Sequence, residues 1–150
     1  MIPLAKRATP AAIAVLRQAS AHWPKRKKAS DGLLPSKEHV KQNPNSDHNS
    51  GFAVDLTDDP ANGVDCSFIY SELKNDKRVK YLIFKGKIWV SNKGEKPYTG
   101  SNKHNKHLHI SIKENCGYDK SPWFPWVPKP KAISKVKANF PKPLPKKKES

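Results

Sequence analysis

The chain has 150 residues, is 35% hydrophobic, and carries a formal net charge of +16. That length allows one domain with a modest core, and the absence of any run of 18 apolar residues excludes a transmembrane helix of ordinary composition. The two cysteines, Cys66 and Cys116, exclude a disulfide framework or a zinc ribbon, and both are read as free thiols, with a single disulfide as the alternative.

The N-terminal "MIPLAKRATPAAIAVLRQ" does not have the character of a secretory signal. Its apolar stretch is short, basic residues interrupt it, and its pattern continues into Gln18 and His22. Thr9-Pro10 is a helix start, with a hydroxyl at the N-cap and proline at the first helical position. Ala12, Val15, Leu16 and Ala19 follow at helical spacing, and Trp23-Pro24 ends the run. This predicts a helix over 10–21. From Pro24 to Asn45 the periodicity is weak and turn formers are frequent, which predicts a long loop. Long loops in compact domains are often functional. Within this one, Arg26, Ser30, Asp31 and His39 are the residues most able to contact a substrate, against the plainer expectation of a basic, solvated loop.

"SDHNSGFAVDL" (46–56) then places a histidine in a polar turn and an aspartate inside an apolar strand, expected over Phe52–Leu56. "TDDPANG" is a turn. Apolar residues at 66, 69, 70 and 73 predict a helix over Val64–Asp76 on one sheet face. "VKYLIFKGKIWV" reads as two strands joined at Lys85-Gly86. "SNKGEKPYTGSNKHNK" is expected to be a polar loop, and "HLHISI" a final strand. Beyond Ser121 the composition changes, and seven of the fourteen prolines lie in residues 122–150. Residues 128–150 carry eight lysines and one acid, Glu149. The expected organisation is a folded domain over 1–127 and an extended, solvated tail over 128–150, with Trp123, Phe124 and Trp126 anchoring its start. The order helix, loop, strand, helix, hairpin, strand predicts a small α+β fold with a mainly antiparallel sheet and one or two packed helices.

A buried carboxylate is costly unless paired or bound to a metal, so Asp55 asks for a partner. Alternation along a strand puts His107, His109 and Ser111 on one face and Leu108, Ile110 and Ile112 on the other. The same rule separates Asp55 and Ala53 from Phe52, Val54 and Leu56. If the two strands are neighbours, Asp55 and His109 converge, and His48 stands at the mouth of the first strand beside Gly51. Two imidazoles and one carboxylate suit a divalent ion, zinc above others. Three protein ligands with an open fourth position is the catalytic form of such a site, because the metal lowers the pKa of a water bound there towards about 7. Four of the six histidines lie in these two short motifs.

These motifs resemble a known group. "SDHNSGFAVD" is similar to the SxHxxGxAxD signature of the D-alanyl-D-alanine metallopeptidases, and "HNKHLHIS" to the HxxHxH and HxHxS ending of the murein endopeptidases. Lysostaphin-type peptidases and the hedgehog domain share the wider zinc site. "SDG", "DLTDDP", "DKRVKYLIF" and "KPYTG" also look like small phage and actinobacterial proteins of this kind, and the resemblance covers roughly 10–115. It implies zinc held by His48, Asp55 and His109, with His107 assisting catalysis and His104 matching the extra upstream histidine. One position departs from the pattern: the dipeptidase branch has a glutamate general base three residues before its last ligand, where this chain has Lys106. The base is then expected to be His107, with His104 assisting. The activity implied is zinc-dependent hydrolysis of peptidoglycan stem or cross-bridge peptides, by a phage endolysin or a virion-borne wall-degrading enzyme. Such an enzyme would be a monomer drawn to an anionic cell wall, binding nucleic acid only non-specifically. Without a signal peptide it would stay in the infected host's cytoplasm until release, or travel in the virion. The competing expectations are a metal-dependent nuclease of HNH type, a zinc-binding module without catalysis, and a packaging or tail protein with an incidental metal site.

Overall fold

Thr9 begins the first helix, α1 (Pro10–His22), in the computed structural model, which describes residues 8–33, 47–100 and 103–127. Its hydroxyl accepts from the Ala12 amide, and Pro10 fills a first-turn position where no amide proton is needed. The face that α1 buries is Ala11, Ala12, Ala14, Val15 and Ala19; side chains this small let the helix lie close to the sheet. The second helix, α2 (Cys66–Leu73), is shorter than the span 64–76 expected from periodicity. Asp65 caps it by accepting from the Ser67 and Phe68 amides, and Val64 is drawn instead into a bridge with Asp59. Its buried residues, Cys66, Ile69, Tyr70 and Leu73, follow the spacing of an amphipathic helix.

Five strands form one antiparallel sheet: β1 (Ala53–Thr57), β2 (Val79–Phe84), β3 (Lys87–Val90), β4 (Gly94–Pro97) and β5 (His107–Ile112), in the order β1-β5-β2-β3-β4. The fold is α+β. The β2–β3 hairpin turns on Lys85 and Gly86, both at positive φ (46° and 79°), the signature of a tight two-residue turn that matches strand twist. Strand β1 is displaced by one residue from the expected Phe52–Leu56, because Phe52 serves the entry: its amide donates to the Asp47 carbonyl and its carbonyl accepts from Ile112. Strand β4 lies in the segment expected to be a polar loop. All four of its residues are exposed, so no apolar alternation marks it, and backbone pairing to β3 alone defines it as a polar edge strand.

The sheet has two unlike faces. Val54, Leu56, Leu82, Phe84, Leu108, Ile110 and Ile112 form the core beneath α1 and α2. Fully burying a side chain of this kind contributes roughly 1.5–3 kcal/mol. The chain after β5 closes this layer. Trp123 and Phe124 are fully buried, the Trp123 indole N–H donates to the Ala11 carbonyl, and the Arg78 guanidinium lies 3.6 Å from the Trp123 ring centroid. Arg78 also donates to the Asp119, Ser121 and Pro122 carbonyls. The expected tail, 128–150, lies outside the described residues. Cys66 is buried and Cys116 half-buried, both as free thiols. Among the described residues no helix is long and apolar enough to cross a membrane.

Candidate metal centre

The second face of the sheet carries the polar cluster. Strand β5 is central and pairs with β1 in a register that sets Asp55 opposite His109 and Thr57 opposite His107. Directly opposed residues share a face, so both histidines and the aspartate project from the side away from the helices. His48 arrives from the short 3-10 helix Asp47–Ser50. That turn ends at Gly51, at φ 82°, and the Gly51 carbonyl is fastened by the amide and hydroxyl of Thr9. The start of α1 thereby fixes where the His48 turn sits.

The three side chains meet as alternation and neighbouring strands require. His48 Nε2 is 3.2 Å and His109 Nδ1 3.3 Å from Asp55 Oδ1. One ligand atom from each of the three residues lies within 4.8 Å of the others. The outer nitrogens are engaged: His48 Nδ1 lies 2.8 Å from the Leu33 carbonyl oxygen, and His109 Nε2 2.8 Å from Ser111 Oγ. A carbonyl can only accept, so His48 carries its proton on Nδ1 and turns the Nε2 lone pair towards Asp55.

Asp55 Oδ1 is buried and accepts no hydrogen bond, although two imidazole nitrogens flank it. Facing electron-pair donors repel unless a cation or a proton lies between them. His48, Asp55 and His109 can hold a metal ion, and the imidazole–carboxylate set fits a borderline divalent cation such as zinc. The electrostatics agree. Burial alone would raise the Asp55 carboxyl, yet the His109 and His48 imidazoles overcome it and hold the group far below the usual carboxylate range. Burial works against charge on His48, and the Asp55 carboxylate outweighs it, leaving the imidazole above its ordinary value. The cluster attracts positive charge at its centre.

No protein-family model, curated protein or solved structure matches the chain.

Two more histidines, His107 and His104, rim the same site. His107 Nε2 is 3.7 Å from Asp55 Oδ2, and burial depresses this imidazole's pKa against the pull of Asp55. The His104 ring centroid lies 4.9 Å from that of His107 and 5.6 Å from that of His109, with His104 at a positive φ of 59°. Lys106, at the position where the dipeptidase branch has its glutamate, is exposed, and its carbonyl accepts from the Asp58 amide.

The loop after α1 does a different job from the substrate contact expected of it. Arg26 is buried and grips both oxygens of Asp31 at 3.1 and 2.9 Å, while Asp31 accepts from the amide and hydroxyl of Thr57. The Ser30 amide donates to Thr57 Oγ1. These bonds anchor the loop along β1, so that Gly32 pairs with Asp55 through both backbone bonds and Leu33 offers its carbonyl to His48. Arg26 and Asp31 therefore position the site from outside it. His39 lies outside the described residues.

Tyr81 is a site residue that the sequence analysis does not single out, although alternation from the core residues Leu82 and Phe84 turns it to the site face. A bulge in β2 lets Val79 face the core opposite Ile112, while Tyr81 faces the site opposite Ser111. Its ring stacks on His109, with centroids 5.3 Å apart and planes at 13°. Burial pushes its phenol up to about 12.

Proposed function

We propose that the protein is a zinc-dependent peptidase that cleaves stem or cross-bridge peptides of peptidoglycan. The observation that carries this reading is the convergence of His48 Nε2, Asp55 Oδ1 and His109 Nδ1 around a buried carboxylate oxygen without a hydrogen bond. Two further imidazoles, His107 and His104, stand beside them. A metal-binding protein without catalysis needs only the first three. The resemblance of "SDHNSGFAVD" and "HNKHLHIS" to murein peptidase motifs supports the substrate class.

When bound, zinc supplies Lewis acidity towards a peptide carbonyl and a water made acidic enough to attack near neutral pH. His48, Asp55 and His109 would hold it, and the strands keep two of these ligands in a fixed register. His107 accepts the proton of the attacking water at Nε2 and returns it to the leaving amine. Its depressed pKa leaves it neutral, and so able to act as a base, at neutral pH. His104, packed edge-on to His107, orients that ring and donates to the oxyanion as it develops.

The charge of +16 draws the protein to an anionic wall. A role in phage lysis, or in opening the wall from a virion, fits that charge and the small size. The test is mass spectrometry of purified murein incubated with the protein. New peptide ends that disappear with EDTA and return with zinc are expected. Unchanged murein together with EDTA-sensitive nicking of plasmid DNA would replace this reading with a nuclease.

A further inference from the structure

A second concavity lies at the start of α2, on the helix side of the sheet and so across the core from the metal centre. It measures about 230 Å³, and Trp23, Gly63, Asp65, Phe68 and Trp126 line most of it. Phe68 is 49% exposed, one of two large hydrophobic side chains so open among the described residues. Its ring meets Trp126 edge-on, with centroids 6.0 Å apart and planes at 73°. Trp126 and Trp23 both pack on the ring of Phe124, which is buried and braces them from beneath. Gly63 makes room for this arrangement: a Cβ there would collide with Trp23 Cδ1 and stand 2.9 Å from Trp23 Nε1.

The polar groups at this concavity have capacity left. The Trp123 indole N–H donates to the Ala11 carbonyl, whereas those of Trp23 and Trp126 have no acceptor among the described residues. Asp65 uses Oδ1 to accept from the Ser67 and Phe68 amides, and its Oδ2 accepts no hydrogen bond among the described residues. No lysine or arginine lines the concavity, although the chain has 29 of them. Its charge therefore suits a neutral ligand and not a polyanion. Apolar aromatic surface combined with two donors and one acceptor matches a sugar ring, which has an apolar C–H face and a rim of hydroxyls. The volume is below the roughly 300–1,000 Å³ of sites for drug-sized ligands, as a site for a single ring should be.

We infer that this concavity binds one pyranose ring of a glycan strand and anchors the protein on polysaccharide, apart from the metal centre. That the glycan is the one in peptidoglycan rests on the peptidase reading above; the recognition of a sugar ring does not. The probe is a peptide-free, uncharged oligomer of β-1,4-linked N-acetylglucosamine, titrated into the ¹⁵N-labelled full-length protein. The four tryptophans give four indole N–H signals. Those of Trp23 and Trp126 should move and those of Trp89 and Trp123 should stay. The affinity should not depend on salt, because the ligand carries no charge to screen. Phe68→Ala removes an exposed ring and should weaken binding about 2–10-fold. Trp23→Phe keeps an aromatic ring, lacks the N–H, and should weaken it by about 2–10-fold as well. Unmoved Trp23 and Trp126 signals, equal movement of all four, or full affinity in both variants would overturn the inference. So would a response of these signals to choline but not to the oligomer, which would make this a cation site. If the oligomer binds as stated and murein peptides stay uncut, the sugar site stands and the peptidase reading falls. If murein is cut and the oligomer moves neither signal, the sugar site falls and the peptidase reading stands.

Discussion

Asp55 and His109 face each other across the β1–β5 ladder, with Asp55 Oδ1 3.3 Å from His109 Nδ1. Two of the three candidate ligands are thus fixed by the hydrogen-bond register of a central strand pair. Only His48 depends on a turn, and that turn is fastened to α1 through Thr9 and to the anchored loop through Leu33. Such a site is pre-formed, and perturbing its supports should be felt first in metal affinity.

Gly32 tests this directly. A Cβ added there would sit 3.3 Å from Asp55 Oδ2, so Gly32→Ala should displace the carboxylate slightly. The expected result is a loss of zinc affinity of up to about tenfold, in the lower range for disturbed supports of a metal ligand, with an unchanged circular dichroism spectrum. Isothermal titration of the metal-free protein with zinc measures it.

His107→Ala should leave zinc stoichiometry intact and lower the rate of peptide cleavage by about 10²–10⁴-fold, the usual contribution of a general base. The pair of measurements is metal content and turnover of a soluble stem peptide. Near-normal turnover would transfer the proton-handling role to His104.

Much of this site is legible in the sequence because strand alternation is strict where no bulge intervenes. "AVDL" and "HLHIS" each sort their polar residues onto one face, and a single assumption, that the two strands are neighbours, brings Asp55 to His109. The supports are not legible in the same way. Tyr81 falls on the site face by alternation from Leu82 and Phe84, but an aromatic ring within an apolar strand carries no sign of a supporting role. Leu33 acts through its carbonyl and Gly32 through its backbone, so neither side chain carries a signal. Arg26 and Asp31 look like substrate contacts because they are charged residues in a loop, and only the fold shows them bonded to each other and to Thr57. Strand β4 escapes because nothing on it is buried.

The residues after β5 belong to the core energetically. Trp123 is fully buried, bonded to Ala11 and covered by Arg78. Trp123→Ala should cost about 3–5 kcal/mol, read as a lower urea midpoint. A chain ending at Val127 should unfold at the full-length midpoint, whereas one ending at Ser121 should not fold cooperatively.

Removal of residues 128–150, with eight lysines, should leave cleavage of a small soluble peptide at the full-length rate. On intact cell walls at low salt the shortened chain should be slower. The difference should close as salt shortens the Debye length from about 10 Å at 0.1 M. A rate gap that persists at high salt would mean that the segment contributes something other than long-range charge.

The most direct measurement is the zinc content of the purified protein, by mass spectrometric metal analysis, alongside His48→Ala, Asp55→Ala and His109→Ala. One zinc per wild-type chain and loss of stoichiometric zinc in each variant are expected, with a lower melting temperature for the wild type after EDTA because the bound metal stabilises the folded state. Stoichiometric zinc retained in His109→Ala, or a wild type that binds no divalent metal, would contradict the assignment of His48, Asp55 and His109 as a metal centre.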